Sequence, residues 1–97
     1  MFGFRMDLPV LRGDHIQWKL IDARAVLLDI DEGIMLKLDE SGTMIWLEID
    51  GKKSGRDIAL SLMGSFKVER NRVEKDVGVF LKKLLKEEAI EFVKRKG

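Results

Sequence analysis

Two hydrophobic periodicities, and the point where one gives way to the other, predict an α+β fold in the order β-β-β-α-α-α. Before residue 40 apolar residues recur at every second position or in a short dense run; after it they recur at every third and fourth. A chain of 97 residues with 45% apolar and 36% charged content suits one domain with a modest core. The fold class is therefore a three-stranded antiparallel sheet followed by three helices, an arrangement met in winged-helix-like domains.

Residues 1–13, with Pro9 and Gly13, have no period and are expected to be a flexible N-terminal leader. From His15 to Ile21, Ile16, Trp18 and Leu20 alternate with His15, Gln17 and Lys19, as in a half-buried strand. Asp22-Ala23 is a short connection. Arg24 to Ile30 contains the dense run Ala25-Val26-Leu27-Leu28, the length of a buried strand. Asp31-Glu32-Gly33 reads as a hairpin turn, because Gly33 tolerates positive φ. Ile34 to Leu38 resumes the alternation and completes a meander.

Ser41 is the expected N-cap of a helix over Gly42 to Ile49 that buries Ile45, Trp46 and Ile49. Asp50-Gly51 ends it. Ser54-x-x-Asp57 forms a capping box, with Asp in place of the usual Glu, for a helix carrying Ile58, Leu62, Met63 and Phe66 and weakened at Gly64. Asn71 with Glu74, or else Glu69, caps a third helix. There Val73, Val77, Phe80, Leu81, Leu84 and Leu85 form one stripe. Ala89 to Val93 suggests a short terminal strand. The folded domain thus spans 14–93, and the polar end 94–97 is expected to fray.

The charges nearly cancel, with 18 basic and 17 acidic residues for a net +1, so no overall field steers the chain to nucleic acid or a membrane. There is no cysteine, which excludes disulfides, zinc ribbons and thiol chemistry and fits a cytoplasmic protein. The N-terminus has no signal-peptide pattern, and no apolar run approaches the roughly 20 residues that span a bilayer.

Little in the chain points to catalysis. His15 is the only histidine and falls on the polar face of a strand. Asp29, Asp31 and Glu32 cluster at a turn without the alternate-ligand spacing of a calcium loop, and read as a solvated hairpin. Gly51, Gly55 and Gly64 make no phosphate-binding loop. Trp46 holds an apolar helix position and reads as core, while Trp18 is less constrained. The third helix carries Arg70, Arg72, Lys75, Lys82, Lys83 and Lys86 against Glu74 and Asp76. That bias supports an alternative function, a winged-helix nucleic-acid-binding regulator. The competing reading is the solvated face of an amphipathic helix.

Several motifs, taken in order, carry a resemblance. They are Val26-Leu27-Leu28, Gly33-Ile34-Met35-Leu36-Lys37-Leu38-Asp39, Ser41-Gly42-x-x-Ile45-Trp46, Asp50-Gly51, Asp57-Ile58-Ala59 and Val73-x-x-Asp76-Val77-x-x-Phe80-Leu81-x-x-Leu84. Over roughly residues 12–93 the chain resembles the PqqD family. It departs from that family in having Asp39 where Asn is common, and Glu88-Ala89-Ile90 where a glycine precedes Leu or Ile. The third helix is therefore expected to end differently.

The resemblance implies a peptide chaperone rather than an enzyme. It would bind the leader of a ribosomally made precursor peptide and present it to a radical S-adenosylmethionine enzyme, with no cofactor of its own. The pathway stays open between pyrroloquinoline quinone and another modified peptide. The resemblance also implies that the peptide adds a strand beside the third strand and faces the third helix. The expected peptide-binding residues are Ile34, Met35, Leu36 and Lys37 on the strand and Asp76, Phe80 and Lys83 on one helix flank. Asp76 would meet a basic leader residue and Lys83 an acidic one. A free strand edge also allows a strand-swapped dimer beside the monomer.

Overall fold

The computed structural model describes residues 5–64 and 69–93. Phe66, the first four residues of the expected leader and the end 94–97 lie outside these. The elements run β1 (Val10–Arg12), β2 (Ile16–Ile21), β3 (Arg24–Asp29), β4 (Ile34–Lys37), α1 (Glu40–Glu48), α2 (Gly55–Met63), α3 (Arg70–Lys86) and β5 (Ile90–Phe92).

The expected meander is present as an antiparallel sheet in the order β2-β3-β4. Trp18, Leu27 and Leu36 stand opposite one another across it. Side chains alternate along a strand, so these three share the face toward the helices. The tight β2–β3 connection puts Asp22 at φ 53 and Ala23 at φ 65, a left-handed pair for which Asp is better suited than Ala. Gly33 takes φ 70 in the second hairpin, as its sequence position demands.

A second sheet pairs β1 with β5. This departs from the reading of residues 1–13 as a leader, since residues 10–12 are built into the fold. Val10 is fully buried. Its N–H donates to the Lys53 carbonyl at 3.0 Å, and its carbonyl accepts from Gly51 at 2.9 Å. Upstream, Arg56 N–H donates to the Met6 carbonyl at 3.0 Å. The segment is held by backbone bonds to distant residues, and such bonds leave no local period.

Helix α1 begins two residues earlier than expected. Its N-cap is Asp39, whose carboxylate accepts from Gly42 N–H at 2.7 Å, not Ser41. Asp caps at least as well as Ser, and Asp39 precedes Gly42 by the three residues that a cap bond needs. Asp thus serves where the family often has Asn. The box on α2 is complete, with the Ser54 hydroxyl and the Asp57 carboxylate each accepting from the other's N–H. Helix α3 starts after Glu69, which makes no side-chain cap bond.

The core lies between the inner sheet face and the helices. Trp46, Leu27, Ile49, Ile58, Leu81 and Leu84 are its largest fully buried side chains. Of the predicted α3 stripe, Val73, Val77, Leu81 and Leu84 are buried, and Phe80 and Leu85 pack partly against them.

Candidate functional site

Among the described residues strand β4 pairs only with β3, so its other edge is open. Leu38 N–H donates to the Ala25 carbonyl at 2.9 Å. In an antiparallel ladder, bonded positions alternate along the strand. Leu36 and Ile34 therefore bond toward β3, while the N–H and C=O groups of Met35 and Lys37 point to the free edge.

Near the start of β4, Ile34 and Leu36 line a crevice of only about 10 Å³ with Glu87. Near its end, Phe80 covers the first turn of α1, where a Cβ built on Gly42 would lie 2.8 Å from its ring. Further along, Asp76 and Arg72 rim a cavity of about 280 Å³ floored by Ile45, Leu62, Val73 and Val77.

Ile34 and Leu36 thus line one crevice, while Phe80, packed on Gly42, and Asp76, at the rim of a second cavity, share one flank of α3. Lys83 is exposed on the same flank, four residues before Glu87. The side chains of Met35 and Lys37 stand on the opposite, outer face of the sheet; only their backbone serves the edge. Glu87 was missed by the sequence reading, although spacings of four, three and four from Asp76 through Phe80 and Lys83 lead to it. The other flank of α3 faces elsewhere. A Cβ on Gly78 would meet Met6 at 3.4 Å, and Glu74 pairs with Arg70 at 3.3 Å.

The remaining candidates form no catalytic set. His15 Nε2 lies 3.7 Å from Asp29 Oδ2. The other carboxylate oxygen of Asp29 accepts from Asp31 and Glu32 N–H, both at 3.0 Å, which fixes the hairpin turn. The cavity that His15 shares is lined by Asp29, Asp31, Glu32, Leu85, Glu88, Ile90 and Glu91, with no hydroxyl or thiol nucleophile among them. Among the described residues no group of His and carboxylate side chains is placed to hold a metal ion, and no helix is long and apolar enough to cross a membrane. Trp46 is core, edge-to-face with Trp18 at 6.1 Å.

The elements define a small α+β domain with an open strand edge at β4. The chain belongs to the family described as Coenzyme PQQ synthesis protein D (PqqD), whose model matches residues 24–90. Two solved structures are similar. One, TbiB1 in complex with the TbiA(beta) leader peptide, is 28% identical, with a TM-score of 0.79 over 88% of this chain and 99% of that one. The other, lasso peptide synthetase B1 complexed with the leader peptide, is 25% identical, with a TM-score of 0.73 over 88% of this chain and 98% of that one. No curated protein matches the chain.

Proposed function

We propose that this domain captures the leader of a ribosomally made precursor peptide as an added strand on β4 and presents it to the modifying enzyme, a radical S-adenosylmethionine enzyme. The domain itself does no chemistry and works in the cytoplasm. The observation that carries this reading is the open β4 edge, in a chain similar to two proteins solved with leader peptides.

Energetics indicate how the groove divides its work. The free edge offers two N–H and two C=O groups. Four backbone bonds at about 1 kcal/mol net each give about 4 kcal/mol. Ordering a disordered segment costs about 2–5 kcal/mol. Backbone pairing alone therefore roughly breaks even, and affinity must come from side chains. The apolar cavity beneath Asp76 and the Phe80 ring are the surfaces that supply it. Asp76 and Glu87, both on the groove flank, favour a basic residue in the peptide.

Titration of the isotopically labelled domain with its precursor peptide, followed by amide NMR, tests this. Shifts concentrated at residues 34–38 and on the 76–80–83–87 flank are expected. No shifts at high micromolar peptide would overturn it.

Nucleic-acid binding is the second reading. On a helix with about 100° per residue, Arg72, Lys75, Lys82 and Lys86 share the outward arc of α3 with no carboxylate among them. Binding to duplex DNA that weakens steeply with salt would favour that reading.

A further inference from the structure

Among the described residues no element covers the outer face of the β2-β3-β4 sheet, which mixes polar and apolar side chains. The register places Gln17, Leu28 and Met35 in one outward row, and Lys19, Val26 and Lys37 in the next. Met35 is 60% exposed and Leu28 36% exposed. With Gln17, Trp18, Lys19 and Val26 they line a shallow depression of about 370 Å³. Around this apolar centre stand Lys19, Arg24 and Lys37, none within 4 Å of a carboxylate among the described residues. The strands themselves place no acid on this face; Asp22 and Asp39 lie in the segments that flank it. The basic arc of α3 differs in kind, because Val79 is its one exposed large apolar residue. Solvation accounts for that arc and does not account for Leu28 and Met35 exposed side by side on the sheet.

We infer that this face is the docking surface for the peptide-modifying enzyme, which meets it with an apolar patch rimmed by carboxylates. The inference rests on the peptide-capture reading for the identity of that partner. The basic rim calls for an acidic partner surface and argues against a second copy. A second copy laid face to face would set lysine and arginine against lysine and arginine, and like charges in a desolvated contact oppose it. Continuity with the groove adds a functional consequence. A leader strand on β4 projects every second side chain outward, beside Met35 and Lys37, and so enlarges this same surface. The enzyme then binds the loaded domain more tightly than the empty one.

The test uses the full chain, its precursor peptide and the purified enzyme that modifies that peptide. Two outer-face variants are compared, Lys19→Glu with Arg24→Glu, and Leu28→Ser. A third, Lys82→Glu with Lys86→Glu on α3, is the control. Both outer-face variants should keep the melting temperature and the leader affinity, while enzyme affinity falls by about tenfold or more, mostly through slower association in the charge variant. The α3 control should bind the enzyme as the unaltered chain does. Unchanged enzyme affinity in the outer-face variants, or a loss confined to the α3 variant, overturns the inference. So does binding to phosphatidylserine vesicles that the outer-face variants abolish without any effect on the enzyme. If the unaltered chain ignores the leader but still binds the enzyme through this face, docking stands and peptide capture fails.

Discussion

Phe80 and Gly42 touch with no room for a methyl group between them: a Cβ on Gly42 would sit 2.8 Å from Cε1 and 3.0 Å from Cζ of the Phe80 ring. This contact sets the ring's position at the end of β4. Gly42→Ala gains roughly 1 kcal/mol of helix propensity but pushes the half-buried ring aside. The two effects oppose each other in stability and not in binding. The melting temperature should move by only a few degrees, while leader affinity measured by calorimetry drops several-fold. Unchanged affinity would place Phe80 outside the peptide path.

Helix α3 ends in a Schellman motif whose left-handed residue is not glycine. Ala89 N–H donates to the Leu84 carbonyl at 2.9 Å and Glu88 N–H to the Leu85 carbonyl at 3.0 Å, with Glu88 at φ 60. The strain therefore falls on Glu88 rather than Ala89. A left-handed non-glycine residue costs about 1–2 kcal/mol. Glu88 also shares a cavity with Asp29, Asp31, Glu32 and Glu91. Glu88→Gly relieves both strain and repulsion and should stabilise the fold by about 1 kcal/mol. In urea this appears as a higher midpoint with the same slope; a lower midpoint would mean that the carboxylate holds a contact of its own.

Arg12 fixes β1 to the core. Its guanidinium lies 4.6 Å from the Trp18 ring centroid and 5.0 Å from that of Trp46, and it donates to the Trp46 carbonyl at 2.8 Å. Burial lowers its pKa despite the opposing pull of Asp50, and its Nε has no hydrogen-bond partner among the described residues. The desolvation cost thus cancels part of a gain from ring contact and charged hydrogen bond of several kcal/mol. Arg12→Ala should cost about 2 kcal/mol in denaturant unfolding followed by tryptophan fluorescence. Arg12→Lys should not restore it, since an ammonium neither stacks on rings nor reaches the carbonyl in the same plane.

What was legible in the sequence follows from how local each cause is. The three-strand meander is written in a period of two and a glycine at the second hairpin, and α3 in its spacing of three and four. The Ser54–Asp57 box needs only four residues. Strand β1 has three residues, too few for a period, and pairs with residues at the far end of the chain, Val10 with Phe92. The Arg12–tryptophan stack depends on that pairing and was equally hidden. At the site, the edge strand was readable. The outward direction of the Met35 and Lys37 side chains was not, because it depends on which face of the sheet the helices cover.

Backbone direction at the β4 edge gives the sharpest test of the groove. Lys37 N–H points away from β3, so Lys37→Pro removes an edge donor without breaking a bond to β3. One lost bond of about 1 kcal/mol corresponds to roughly fivefold weaker leader binding. Leu36→Pro, one residue earlier, removes a donor to β3 and should unfold the hairpin instead. On the helix, Asp76→Asn lies on the groove flank and should weaken a basic leader, more at low salt than at high. Lys82→Glu lies on the outward arc and should leave leader affinity where it was. Calorimetric titration of the four variants separates the cases: equal losses from Asp76→Asn and Lys82→Glu would mean a diffuse electrostatic attraction, and the peptide would not lie along this flank of α3.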